Sequence, residues 1–329
     1  MTQPPSTLAH PDPLPIEGWS ALTHNRTLFW AGIGMFVSAV ILVPLWLLDP
    51  VQMLGVSRWG KPIKFFVSAG IFSLTYSWLS AHISRWPRVV YWAGAIIGIS
   101  FVIELIGITG AAAFETTSHF NVSSPISTVV WAVMAFFVNV ILVATIVLSL
   151  LILFEKNRPF LLKLGLGLGS LITSVGMGLA FLMTNPTEDQ LADFDGIAGA
   201  HSVGIDDGGP GLPFLGWSTV AGDLRVGHYF GLHAIQVALA ILILQKYLPV
   251  ALRLPAVIVG NATYLGFVLI VTAQALRAES FVNPSIQTLS QFLWLAMFSF
   301  AALIVLALLE RTGLARAKEV RADQAITGE

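Results

Sequence analysis

The chain has no cysteine. This excludes disulfides, thiolate metal sites, covalently attached c-type haem and cysteine-ligated iron–sulfur clusters. Charge is also scarce: 11% of the 329 residues are charged and 56% are apolar, with a mean hydropathy of +0.80. A soluble globular domain carries about 25% charged residues, so the composition excludes that class. A formal net charge of −1 leaves no case for a nucleic-acid partner. The HExxH metalloprotease spacing is absent, and the first 26 residues lack a basic n-region followed by a short apolar h-region. The first apolar window is therefore expected to be a true span, not a cleaved signal peptide.

What is present are eight apolar windows, each near the ~20 residues that a helix of 1.5 Å rise needs to cross a bilayer. They run Leu28–Leu48, Ile63–Ile83, Val89–Thr109, Val129–Phe154, Leu161–Met183, Val226–Leu248, Ala256–Leu276 and Leu289–Leu309. The expected architecture is an all-α integral membrane protein, a bundle of about eight transmembrane helices. With a cytoplasmic N-terminus, twelve of the seventeen Lys and Arg residues fall on the inner side. The outer five are Arg58, Lys61, Lys64, Arg225 and Arg277. This positive-inside asymmetry predicts cytoplasmic termini and a multi-pass protein of the bacterial inner (plasma) membrane. The organisation is a polar tail over 1–26, a bundle over 27–310 with a Gly/Asp-rich outer loop at 184–222, and a charged cytoplasmic tail over 311–329.

Several features carry a bland reading. Gly165-Leu-Gly-Leu-Gly169 lies inside an apolar span, so it is read as close helix packing, not as a nucleotide loop. Asn139 and Asn261 are expected to hydrogen-bond between helices. Asp206-Asp-Gly-Gly209 reads as an exposed acidic turn, because the ligand spacing of a calcium loop is missing. His82 is expected at the inner interface, and His10, His24 and His201 are assigned no role.

The informative residues collect at the outer side. Glu104 lies about five residues, or ~8 Å, inside the outer end of the third span, where an ionisable group is a functional candidate by default. Lys61 and Lys64 sit at the outer end of the second span with Ser68 a turn deeper, and snorkelling to lipid headgroups is their alternative role. In the sixth span, Arg225 and His228 are an i, i+3 pair, as are His233 and Gln236. Five residues turn His228 from His233 by ~140°, so neither joins the other on one metal without a partner from another segment. Glu115 and His119, in the loop after the third span, and Arg277 with Glu279, after the seventh, supply such partners. Glu104 and Arg225 are the candidate catalytic residues. Cofactor binding falls to His119, His228, His233, Lys61, Lys64 and Arg277, with the three histidines as candidate metal ligands.

Lys61-Pro-Ile-Lys-Phe-Phe-Val-Ser68, Ser118-His-Phe-Asn121 and Arg225-Val-Gly-His-Tyr-Phe-Gly-Leu-His-Ala-Ile-Gln236 resemble signature segments of a group of bacterial multi-pass membrane proteins without an assigned activity. The resemblance covers most of the spans and implies no chemistry.

Three function classes follow from the residues. A haem b or histidine-bound metal redox protein comes first, because imidazole is a common iron ligand and outer cations can pair with haem propionates. A proton-coupled carrier of a small solute, with Glu104, His233 and Arg225 lining the pathway, comes second. Against it, the sequence shows no paired broken helices, and polar groups thin out toward the cytoplasmic half. A membrane-embedded metal-dependent hydrolase comes third. The expected partners are membrane lipids and a redox partner or small-molecule substrate reached from the outer side.

Overall fold

Local signals set the helix boundaries. Asn25 caps α2 (Arg26–Leu48), its side-chain oxygen accepting from Leu28 N at 3.1 Å. Proline opens α4 (Pro87–Ala113) and α5 (Pro125–Leu153), where its missing N–H costs nothing. Ser124 adds a side-chain cap to α5 through Ser127 N. These belong to a computed structural model that describes residues 18–327, with side chains to residue 313. His10 and the side chains of Arg316, Lys318 and Arg321 lie outside the described residues.

The remaining elements, in chain order, are α1 (Gly18–Leu22), α3 (Gly60–Ser80), α6 (Phe160–Gly178), α7 (Glu188–Ala192), α8 (Leu224–Leu232), α9 (Ala234–Leu244), α10 (Val250–Leu276) and α11 (Ile286–Thr327). Helix accounts for 72% of the described residues. Among the described residues six helices are long and apolar enough to cross a membrane, and a seventh span arises if α8 and α9, bent by 47° at their junction, count as one. Helix α3 is also 21 residues long, but Lys61, Lys64 and a run of Ser, Thr and Tyr make it more polar. All eight apolar windows are thus helical along most of their length, and the sixth is broken at His233.

The bundle is built by neighbour packing of α2 with α3, α4 with α2, α3 and α5, α5 with α6, α6 with α8 and α9, and α10 with α8 and α11. Leu28, Tyr76, Leu148, Leu166 and Ile235 are fully buried at its centre. Glycine lets α6 approach α8 and α9. A Cβ on Gly169 would meet Ala238 Cβ at 2.3 Å, one on Gly165 would meet Leu242 at 2.8 Å, and one on Gly176 would lie 2.3 Å from the Gly231 backbone. The packing role read for Gly165 and Gly169 is the observed one. Asn139 and Asn261 differ from expectation: each donates to the carbonyl four residues back in its own helix, Ala135 and Val257, at 2.8 Å. That acceptor is always within reach of a helical Asn, so no second helix is needed.

Two short strands, β1 (Gln52–Met53) and β2 (Val56–Ser57), form a hairpin after α2. The loop over 184–222 is ordered largely by its own pairings. There β3 (Ser202–Val203) pairs antiparallel with β4 (Gly222–Asp223), with Ser202 opposite Asp223. Isolated bridges join Asn121 to Ile197 and Gly211 to Ser218. A Thr187/Gln190 capping box starts α7. The segment after α6 is thereby tied to the Ser118–Asn121 loop and lies at the same ends of the helices.

Candidate functional site

The site starts with α3. Lys61 and Lys64 are three residues apart and share one helical face. The loop after α4 brings His119 to that face: its Nδ1 lies 3.4 Å from Lys61 Nζ and 2.8 Å from Ser118 Oγ. A lysine ammonium only donates, so His119 accepts at Nδ1 and carries its proton on Nε2. Positive φ at Glu115 and Phe120 gives this loop its tight path. Asn121 braces it by accepting from Ser123 N at 3.0 Å and donating to Thr116 Oγ1 at 2.9 Å.

His201 and Asp207 join from the loop between α7 and α8. His201 Nδ1 is 2.5 Å from Asp207 Oδ2, and Asp207 Oδ1 also accepts from the backbone N–H of His201 at 3.1 Å and of Ser202 at 2.8 Å. Phe120 connects the two loop histidines, its ring 5.1 Å from that of His201 and 6.0 Å from that of His119. The β3–β4 pairing and a bond from Leu224 N to His201 O at 2.9 Å seat this pair at the start of α8.

Helix α8 contributes the rest. Asp223 caps it and is buried at 1% exposure; its carboxylate holds Arg225 Nε at 2.8 Å and Nη2 at 2.5 Å. Arg225 Nη2 also donates to Gly216 O at 2.6 Å. Deeper, the close crossing of Gly176 and Gly231 allows His228 Nδ1 to reach Gly176 O at 2.8 Å. Because a carbonyl only accepts, Nδ1 of His228 carries the proton and Nε2 keeps the lone pair. His233 occupies the junction of α8 and α9, with Nε2 3.0 Å from Ser68 Oγ of α3 and its ring 4.7 Å from Tyr229. One turn deeper, Gln236 Nε2 donates to Thr75 Oγ1 at 2.9 Å.

Lys61, His201 and His228 act electrostatically on His119, and Arg225 acts on Lys61 and His201. Partial burial pushes the His119 pKa well below its ordinary value, and the charge of Lys61 adds to that effect. Burial also lowers the His201 pKa, against the pull of Asp207. For Asp207, burial acts upward but is outweighed by His201 and the two backbone N–H groups, which hold its carboxyl well below the usual range. At neutral pH the loop thus presents two neutral imidazoles and one carboxylate.

The structure brings Lys61, Lys64, His119, Arg225 and His228 to one end of the bundle, with His233 directly beneath. Arg277 belongs to a different junction, where it donates to Thr288 Oγ1 at 2.6 Å and Glu279 Oε2 at 3.3 Å, tying α10 to α11. Glu104 is buried on α4, its Oε1 lacks a hydrogen bond, and it has no ion-pair partner among the described residues. Glu115 pairs with Arg58 at 2.9 Å. Among the described residues no three His, Asp or Glu side chains meet closely enough to hold a metal ion.

Two groups of polar residues were not singled out from the sequence. His201 and Asp207 lie in an irregular loop, and their signal in the sequence is a connection far longer than the roughly 12–15 residues beyond which loops are commonly functional. Asp207 is turned onto His201 and does not form an outward acidic turn. The second group is a set of interior hydroxyls. Tyr76 OH lies 2.7 Å from Ser170 Oγ, which is 2.6 Å from Ser149 Oγ, and Ser149 Oγ donates to Thr145 O at 2.7 Å. With that proton committed, Ser170 donates to Ser149 and Tyr76 donates to Ser170, which gives the chain one direction. Thr173 Oγ1 accepts from Ile235 N at 3.2 Å, just past the helix break. Their signal was the i, i+4 spacing of Thr145 with Ser149 and of Ser170 with Ser174.

Comparison with protein-family models, with characterised proteins and with solved structures gives no match to this chain.

Proposed function

We propose that the chain is an inner-membrane protein of eight spans with cytoplasmic termini that carries a small solute together with protons through the outer-leaflet histidine site. The basic residues divide twelve to five between the two sides, and α3 with the α8–α9 pair completes eight spans. The observation that carries the reading is the position of His233, at a 47° helix break and bonded to Ser68 of α3. Broken helices at mid-membrane free backbone groups for a solute and give two rigid halves that can rearrange. Above the break stand the charged groups and His228. Below it, hydroxyls of α3, α5 and α6 continue inward, which answers the apparent thinning of polar groups in the sequence. Glu104 supplies a further protonatable group away from the charges, and Arg225 with Asp223 anchors the mouth.

The test uses liposomes loaded with a pH dye, exposed in turn to gradients of membrane-impermeant solutes: sugars, amino acids, phosphate and organic anions. At least one class should move protons, and His233→Ala should abolish that movement. Proton movement equal in wild type and variant would remove the reading.

A second reading, binding of haem b or a histidine-bound metal for redox chemistry, is favoured by one feature. His201 and His228 both commit Nδ1, to Asp207 and to Gly176 O, which leaves Nε2 with its lone pair. That is the support a ligating histidine receives. A Soret band that shifts on reduction, or a stoichiometric metal in the native protein, and its loss in His228→Ala, would establish it over the carrier.

A further inference from the structure

Two lysines and an arginine meet at the mouth of the site, and their partners are unusual. Arg225 has a carboxylate, Asp223. Among the described residues Lys61 and Lys64 pair with none. Lys61 has a histidine nitrogen, and Lys64 Nζ donates to the carbonyls of Phe214 and Leu215, both at 2.8 Å. The next carbonyl, Gly216, takes Arg225 Nη2 at 2.6 Å. Three successive carbonyls thus point at two cations. An extended strand would send alternate carbonyls to opposite sides; here Phe214 and Gly216 both have positive φ, 63° and 69°. The left-handed conformation of Phe214 costs about 1–2 kcal/mol for a non-glycine residue, so the contact is held against local strain.

Partly desolvated ammonium groups are satisfied best by a charged partner. Lys61, Lys64 and Arg225 are three cations against Asp207 and Asp223, which leaves one positive charge while the histidines are neutral. We infer that the site takes a small monoanion, a carboxylate or a singly charged phosphate, whose oxygens replace the carbonyls of Phe214, Leu215 and Gly216 on Lys64 and Arg225. The segment Pro213–Gly216 then acts as the cover of that position. Its base is fixed by the Gly211–Ser218 bridge and by Leu212 N bonding to Trp217 O at 2.8 Å, while its tip rests on Trp46 through Phe214 at 5.5 Å. Beside the tip lies a cleft of about 190 Å³ lined by Trp46, Gly60, Gly209 and Phe214, large enough to admit such a group from outside. The lysines could instead hold a lipid phosphate, but their Nζ atoms turn to the loop and to His119.

This inference rests on the carrier reading only for the identity of the site, and its test separates the two. The full chain in zwitterionic-lipid nanodiscs is titrated with gluconate, inorganic phosphate and sorbitol, with the thermal unfolding midpoint as readout. Gluconate or phosphate should raise the midpoint saturably and sorbitol should not. Lys64→Met should weaken the effect at least tenfold, Lys64→Arg should retain it within about threefold, and Lys246→Met at the opposite end should leave it unchanged. Since the chain lacks cysteine, Leu215→Cys gives one labelling site, and labelling should quicken when the anion displaces the cover. Equal effects of sorbitol and gluconate, an undiminished response in a folded Lys64→Met, or a response that appears only with anionic lipid would each overturn the inference. Anion binding without proton movement would sink the carrier reading and leave the anion site standing; proton movement dependent on His233 without anion binding would do the reverse.

Discussion

Nε2 of His233 lies 3.0 Å from Oγ of Ser68, a contact that, with Gln236 to Thr75 one turn deeper, joins the broken α8–α9 pair to α3. It sits at the boundary between the charged mouth and the hydroxyl-lined interior, so loss of either partner should alter proton movement more than stability. Ser68→Ala removes one half-exposed hydrogen bond, a change of about 1 kcal/mol. The expected outcome is a fall in solute-driven proton movement of at least tenfold with the unfolding midpoint nearly unchanged, measured on the same preparation.

The Tyr76–Ser170–Ser149 chain provides a second test. Tyr76→Phe keeps the ring and deletes the first donor, leaving Ser170 and Ser149 bonded to each other. Stability should drop by about 1 kcal/mol, and proton movement should drop well beyond what that loss explains. Dye-reported flux compared with detergent unfolding separates the two effects.

Gly176 and Gly231 cross with their backbones in contact. Gly176→Ala places a Cβ 2.3 Å from the Gly231 carbonyl carbon, where only backbone could yield. Overpacking of this kind costs about 1–3 kcal/mol. It should also free His228 from Gly176 O, so the His228 imidazole signals in an NMR titration should shift in the variant.

The loop histidines contribute a definite part of the pH dependence. Burial lowers the folded pKa of His119 and His201 below the ordinary value of 6.5, so between the two values the unfolded chain binds more protons. Their contribution to stability is therefore complete above pH 6.5 and is lost as pH falls below it. Asp207, also lowered in the folded state, adds a loss only below its ordinary value of 3.8. His119→Gln should show a smaller decline of the unfolding midpoint between pH 6.5 and 5 than wild type, with the two running parallel above pH 6.5. Asp207→Asn should steepen the decline, because His201 would lose the partner that raises its pKa.

Much of the fold was legible because a bilayer demands long apolar helices, and the eight windows fall on helical segments to within a few residues. The break at His233 was not, since Gly231, Leu232 and His233 carry no proline and the bend arises from packing against Gly176 and Ser68. At the site, Lys61, Lys64, His119, Arg225 and His228 stand out as ionisable residues in apolar surroundings. His201 does not, because its position depends on the β3–β4 pairing and on Asp207, both long-range within an irregular loop. Arg277 looked like a member of the same set from depth alone, but depth fixes only one coordinate; its azimuth on α10 turns it toward Thr288 of α11.

The most direct measurement of the central claim is solute-driven proton entry into dye-loaded liposomes carrying either wild-type protein, His233→Ala or Arg88→Gln, the last a control at the opposite membrane face. Entry is expected with wild type and Arg88→Gln, at similar rates, and none above protein-free liposomes with His233→Ala. Entry through His233→Ala at the wild-type rate would contradict that claim.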